Sequence, residues 1–546
     1  MPRPRESRQI WPTRENPVTE QHLDTILTKL GQDLRPNERT DYLVLLKAFH
    51  DVTESIAKLP DYEPPTDLER FPRKDIHFLK PEDNKLGAWA WKFTVKDTRP
   101  NRGILSGKTV VIKDNISVAG VNCLLGTDAM TGFVPTADAT VVTRTLESGG
   151  TILGKAVCEN LSMAGTSFTA ATGPVHNPYA RGYSAGGSSS GCGALVASCA
   201  VDMAIGGDQG GSIRLPASWC GIYGLKPTQG LIPYTGIASL ETTMDHTGPM
   251  TRTCFDNALL LKALAGKDNI DDRCIATPSP SEIPDYPAIL DEVKGAAKTL
   301  EGFKIGLLTE GFSDVPCEQG AMNDTRVSRK VRDAADKWKQ MGASVEDVSI
   351  PMHALSMDLW LMIVRMGCVP GLMGGVIGRQ GFYQNQLTTR MSALRTPEGW
   401  DKLPFTAKNM VLNGVYMQEY LLLQPELYGK ATNLIRLLRE KYDEALDHFD
   451  VLVMPTTPYL ATSHAVPDAT ILAKISKGLG QTMNTCSFDV TGHPALSMPI
   501  GMLPSLDDSS INLPVGLQIV SKHFQESRIY KAAFAWENVY PNWKDC

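Results

Sequence analysis

Apolar side chains recur every three or four positions in HLDTILTKLGQDL (22–34) and again in ERTDYLVLLKAFHDVTESIAKL (38–59). That period lays them along one helix face, so two amphipathic helices are predicted. PDYEPPTDLERFPRKD, which follows, is dense in proline and charge and reads as a link. From Ile104 the pattern changes. Short β-branched runs alternate with helical stretches in KTVVIKD, ATVVTRTLESGG and GTILGKAV, and later in FKIGLLTE followed by VSRKVRDAADKWKQMGASVEDVSI. Strands joined by crossover helices write this text. YDEALDHFDVLVMPTTP and LPVGLQIV add a helix and two buried strands, while the apolar, Gly- and Met-rich stretch at about 352–426 reads as an inserted helical region. The prediction is a helical N-terminal region (1–80) and an α/β domain (81–546) whose mixed, mostly parallel central sheet is covered by helices.

With 546 residues, 42% of them apolar and 21% charged, the chain can bury one large core or several ordinary ones. The net charge of −6, without a basic run, argues against nucleic acid as a partner. Eleven cysteines, an odd number, show neither CxxC pairs nor zinc spacing, so no metal is expected and a reducing compartment fits. The first residues lack the apolar core of a secretory signal. A cytosolic protein is the expectation. Leu359–Gly378 has the length of a membrane span but carries Arg365, Pro370 and five glycines. It reads as a buried helix with a Gly-rich turn, which also suits a greasy wall of a substrate funnel.

Two glycine-serine clusters change the picture, GYSAGGSSSGCG at 182–193 and GGDQGGSIRLP at 206–216. Apolar residues that need burial flank both, so a flexible linker is a poor reading. A Gly-Gly-Ser turn can bend sharply and aim consecutive amide N–H groups at one point, where an oxyanion would be stabilised. Ser212 is therefore a candidate nucleophile. Its base could be a histidine, with His176 and His246 nearest in sequence, or Lys113, which the apolar strand VVIKDNI would bury and so make less basic. Three lookalikes carry less. GYSAG places Ser184 in a G-x-S-x-G pattern without the preceding strand that motif needs. GGTILGKA lacks the final Ser or Thr of a phosphate loop. Ser55 begins an S-x-x-K that has no S-D-N or K-T-G companions.

VVIKDNI, GGSSSG and GGSIRLP, with 24 positions between Ser188 and Ser212, together resemble the amidase signature family. NPYARGYSAGGSSSG, CGIYGLKPTQGLIP, VTGHPALSMP and LPVGLQIV extend the resemblance from about residue 90 to about 530. It implies Ser212 as nucleophile, Ser188 as proton relay on a cis peptide, Lys113 as base, and an oxyanion hole of the amides of Gln209, Gly210, Gly211 and Ser212. Met163 would line the pocket, and Asp208 would either anchor the relay serine or cap a helix. Where a frequent family form has T-D-[IVT]-G-G-S this chain reads G-D-Q-G-G-S, which resembles the broad-specificity amidases. Ser190 also replaces a glycine.

The function so implied is hydrolysis of small carboxylic amides through an acyl-enzyme, with esters and carbamates such as urethane included and no cofactor. The helical arm implies, by the same resemblance, a homodimer. The alternative is a glutamine-hydrolysing amidotransferase component that feeds ammonia to a partner. A non-catalytic binding protein would require a break in Lys113, Ser188 or Ser212, and none is present.

Overall fold

The structure, a computed structural model, describes residues 11–99, 102–294, 299–312, 324–371, 378–420 and 426–546. Most of the N-terminal stretch read for a signal (1–10) and the Gly-rich end of the 359–378 segment (372–377) lie outside the described residues.

The chain forms two compact units that divide at 64/65. In the first, both predicted helices are present, as Glu20–Leu30 and Pro36–Ala57. Leu23 and Leu27 are buried, and Arg39 of the second helix pairs with Asp24 of the first. The predicted boundary at 80/81 falls too late. Arg73–His77, whose first three residues close the stretch read as link, pairs with Trp89–Val95 and begins the sheet of the second unit.

Twelve strands among the described residues form that sheet: β1 (Arg73–His77), β2 (Trp89–Val95), β3 (Thr109–Lys113), β4 (Thr151–Ala156), β5 (Met203–Asp208), β6 (Tyr223–Lys226), β7 (His246–Thr251), β8 (Lys304–Leu308), β9 (Ser344–Val348), β10 (Val451–Pro455), β11 (Ala495–Pro504) and β12 (Asn512–Val520). Their order is β1-β2-β4-β3-β5-β7-β6-β11-β12-β10-β8-β9. The sheet is mixed and covered by helices as expected, but its parallel share is smaller than expected. Four pairings are parallel, in the blocks β4-β3-β5 and β10-β8-β9. Seven are antiparallel. Five of the six strands in the parallel blocks come from runs the sequence marks, all except β5, while LPVGLQIV, also read as a strand, forms the antiparallel β12. The antiparallel centre is built from GLK, HTGPMT and ALSMPIGMLP, which carry too many Gly and Pro residues to read as strands. Within the alternating text, ATVVTRTLESGG supplies a helix, Thr140–Glu147, between β3 and β4. Trp219, Trp338 and Trp536 are wholly buried in the core that flanks the sheet.

The insertion is helical, with Ser356–Val369, Asn385–Met391, Pro397–Lys402 and Phe405–Tyr420 as its helices. Pro351–Val369 is long and apolar enough to cross a membrane by length and composition. Leu359, Ile363 and Val364 are buried, and the helix packs against Phe405–Tyr420 and Leu427–Leu446.

Candidate active site

β3 and β5 run parallel and side by side, so Lys113 at the end of one and the 209–212 turn after the other emerge at the same sheet edge. Carboxyl ends of parallel strands are where α/β folds place their ligands. Lys113 Nζ lies 2.7 Å from Ser188 Oγ and 3.5 Å from the Gly207 carbonyl. Burial pushes the lysine pKa down, against weaker opposing fields from Cys158, Cys192, Asp208 and Asp245. A neutral amine has a lone pair able to take a hydroxyl proton.

Ser188 follows a cis peptide bond from Gly187. Its carbonyl accepts the Glu159 N–H (3.1 Å). The next residue stitches the two glycine-serine clusters together: Ser189 Oγ donates to the Gly207 carbonyl (3.1 Å) and accepts the Gly207 N–H (3.2 Å), while Ser189 N–H donates to the Ser212 carbonyl (3.2 Å). The helix Ser190–Ala197 starts here, pinned by Gly191 N–H on the Val157 carbonyl (2.9 Å). Gly191 is needed because a Cβ there would lie 2.4 Å from the Ala88 carbonyl.

Ser212 differs from its partners in access. It is 8% exposed and lines a cavity of about 720 Å³, whereas Lys113 and Ser188 are wholly excluded from solvent. A substrate can reach Ser212, and the groups behind it are sealed from water.

The oxyanion cradle needs one correction. Gly211 N–H donates to Asp208 Oδ1 (2.5 Å) and is not free for a ligand. The amides of Gln209, Gly210 and Ser212 have no acceptor among the described residues. Gly211 is required for shape instead: its φ is +131°, and a Cβ there would lie 2.3 Å from Thr485 Oγ1. Gly210 is required for a different reason, because a Cβ there would lie 2.6 Å from the Trp360 ring.

Asp208 makes no hydrogen bond to Ser188, so it does not anchor the relay serine directly. Its carboxylate accepts the N–H groups of Ile213 (3.0 Å) and Arg214 (3.4 Å) at the start of the helix Arg214–Cys220, and two bonds from the Arg214 guanidinium (both 3.0 Å). Arg214, wholly buried, also donates to Asp489 (2.7 Å), the Thr485 carbonyl (2.9 Å) and Gln518 (2.8 Å). Burial alone would raise the Asp208 pKa, but the adjoining guanidinium holds it well below the usual carboxylate range. Asp489 goes the other way, raised by burial and by the Asp208 charge.

The cavity walls combine residues 162–166, including the expected Met163, with the insertion helices and a segment the sequence did not flag, 474–482. Trp360, within the 359–378 stretch read as a funnel wall, donates its indole N–H to the Gln209 carbonyl (2.7 Å), and Thr485 Oγ1 donates to the Gly210 carbonyl (2.6 Å). These two clamps fix the cradle from outside. No local pattern marks this clamping role, since both residues come from distant segments. The Gln209 side-chain Nε2 donates to Tyr234 Oη (3.0 Å), so the side chain is tied to Tyr234 while the backbone N–H stays free of any acceptor among the described residues.

The other sequence candidates fall away from the chemistry. His246 sits on β7 with Nδ1 2.7 Å from the Met244 carbonyl and 3.6 Å from Asp489. The His176 ring lies 5.3 Å from that of His464, tilted by 34°. Ser184 Oγ accepts the Gly186 N–H (3.0 Å), and Lys155 forms a buried ion pair with Asp114 (3.4 Å).

A mixed sheet that brings a buried lysine and two serines to one edge, beneath a largely apolar cavity, defines an amide-hydrolysing enzyme. The chain belongs to the amidase family, which it matches over residues 77–530. It is 40% identical over 467 residues to an enantioselective amidase of Rhodococcus rhodochrous, covering 84% of both chains. A component of the glutamyl-tRNA(Gln) amidotransferase of Caldanaerobacter subterraneus is 32% identical over 446 residues, 80% of this chain and 83% of that one. Among solved structures, native peptide amidase from Stenotrophomonas maltophilia superposes with a TM-score of 0.60 at 28% identity, over 80% and 84% of the two chains.

Proposed function

We propose that this amidase hydrolyses carboxamides with bulky apolar acyl groups, through an acyl-enzyme on Ser212. Lys113 withdraws the Ser188 proton as Ser188 withdraws that of Ser212, and Ser212 Oγ attacks the carbonyl. The amides of Gln209, Gly210 and Ser212 stabilise the oxyanion. Each such donor contributes about 2.7–4 kcal/mol to a transition state of this kind. Ser188 then passes the proton to the leaving nitrogen, and water enters by the same relay to release the acid. Esters and carbamates are included, because they form a comparable acyl-enzyme.

The observation that carries this reading is the 2.7 Å approach of the buried Lys113 amine to Ser188 Oγ, close behind Ser212, which lines the cavity. Trp360, Phe405, Met357, Met362 and Met410 in the walls favour an apolar acyl group over the polar side chain of glutamine, and the amidotransferase reading is correspondingly weaker. The proposal includes a cytosolic homodimer. In its support, none of the ten described cysteines is disulfide-bonded, and the helix Pro36–Ala57 leaves Leu45, Phe49 and Ile56 exposed.

Release of ammonia or amine from benzamide, hexanamide, glutamine and ethyl carbamate tests the reading. Benzamide and hexanamide should turn over faster than glutamine, and Ser212→Ala should abolish all turnover. Activity confined to glutamine would favour the amidotransferase, and full activity in Ser212→Ala would overturn the mechanism.

A further inference from the structure

At the opposite end of the helix that carries Asp489, three potential metal ligands converge. Asp443 (on Leu427–Leu446), His493 (just after the helix Cys486–Thr491) and His523 (after β12) each offer one donor atom, and all three atoms lie within 4.8 Å of one another. None of them takes part in the chemistry above. Asp443 and His523 are half-buried and His493 is buried, so the cluster sits at the surface with an open side.

The hydrogen bonds fix where the lone pairs are. Thr491 Oγ1 donates its only proton to the Ser487 carbonyl (2.9 Å). With that proton so placed, His493 Nδ1, 3.0 Å from the same oxygen, is assigned as the donor to it. On a neutral ring this leaves Nε2 unprotonated, and it faces Asp443 Oδ1 at 3.2 Å, two acceptors pointing at each other. A cation or a second ring proton must lie between them. The His523 Nε2 lies 3.0 Å from the Thr491 carbonyl and donates to it. Each histidine thus spends one ring N–H on Thr491, as metal-bound imidazoles do when a neighbour fixes their tautomer. The two rings lie 4.2 Å apart, which crowds a second imidazolium but suits two ligands of one ion. Two ligands held 2.0–2.1 Å from a tetrahedral ion are about 3.3 Å apart, close to the His493–Asp443 separation. His523, half-buried, needs to close by no more than about 1.5 Å to reach the same spacing.

We propose that Asp443, His493 and His523 form a binding site for a divalent transition-metal ion of the zinc class, with water completing the shell. Arg439, one turn before Asp443 on the same helix, adds positive charge, so binding is expected to be weaker than at a closed four-ligand structural site. The ion would tie Leu427–Leu446 to the segments that follow the helix Cys486–Thr491 and β12.

Chelator-treated full-length protein titrated with Zn²⁺ by calorimetry, and with Co²⁺ by visible absorption, tests this. One equivalent should bind with a raised melting temperature, and Co²⁺ should give the ligand-field bands of a nitrogen- and oxygen-bound ion. Asp443→Asn and His523→Ala, at half-buried positions that the fold tolerates better than a change at His493, should each weaken binding by more than about tenfold while leaving amide hydrolysis intact. No saturable binding, or binding unchanged in both variants, would overturn the site and leave a His493–Asp443 ion pair in its place.

Discussion

Lys113 Nζ and Ser188 Oγ lie 2.7 Å apart, both wholly excluded from water, while Ser212 alone reaches the cavity. Burial of this kind favours the uncharged amine that the proposed role of Lys113 as base requires. With its pKa depressed by burial, Lys113 is neutral above that depressed value and charged below it. The rate constant kcat/KM is expected to fall as pH drops through it and to hold on the alkaline side. Lys113→Ala should cost about 10²- to 10⁴-fold and remove the acid limb, as measured by pH profiles on benzamide. An acid limb that survives in the variant would assign the titration to another group, with Glu159, raised to about 7 by burial, the first to examine.

Asp208 and Asp489 both touch Arg214, yet their pKa values move in opposite directions. The Arg214 charge favours ionised Asp208, while burial and the Asp208 charge push the Asp489 carboxyl toward its protonated form. Asp208→Asn should therefore destabilise the protein by about 3–5 kcal/mol, because it strands a buried guanidinium. Asp489→Asn, which keeps both the shape and an acceptor oxygen, should cost about 1 kcal/mol or less. Urea unfolding at neutral pH compares them. Equal losses would mean that Asp489 is charged.

Lys226, at the end of β6, donates to the Pro227 carbonyl (2.9 Å) and is wholly buried, which lowers its pKa from 10.5 to about 7. Between these two pH values the unfolded chain binds a proton that the folded chain does not, so stability should climb with pH across that window, by up to about 1.4 kcal/mol per pH unit. Below pH 7 both states are protonated and the slope from this group vanishes. Lys226→Met should remove the rise. Comparing unfolding free energies of the two proteins at pH 6, 8 and 9.5 isolates this residue from other groups that titrate there, and parallel curves would count against a neutral Lys226.

How far the site was legible depended on chain distance. Lys113, Ser188 and Ser212 carry local signals, an apolar strand ending in lysine and two Gly-Ser turns with fixed spacing. The helical arm and the insertion were legible from periodicity and composition. The antiparallel centre of the sheet was not, because β6, β7 and β11 contain Gly and Pro residues that only full burial between neighbouring strands makes acceptable. The Gly211 amide was misread because nothing in GDQGGS says that Asp208 folds back over it. The clamping roles of Trp360 and Thr485 were invisible for the same reason, as each acts across more than 150 residues.

Gly210 and Gly211 look equivalent in sequence, and the structure separates them. Gly211 needs both a φ of +131° and the space occupied by Thr485, so Gly211→Ala is strained whatever surrounds it. Gly210 has no such backbone demand, and the obstacle to a methyl group there is the Trp360 ring, 2.6 Å from where a Cβ would stand. Gly210→Ala should impose about 1–3 kcal/mol of overpacking and lower kcat/KM by displacing the Trp360 clamp on Gln209. Trp360→Phe alone should cost about tenfold or less, the worth of one hydrogen bond. The combination Gly210→Ala with Trp360→Ala should recover activity relative to Gly210→Ala, whereas no change at Thr485 should rescue Gly211→Ala to the same degree. Steady-state kinetics on hexanamide, with a melting temperature for each variant, reads this out. If the Gly210→Ala defect persists unchanged without the indole, the glycine serves substrate approach and not the packing of Trp360.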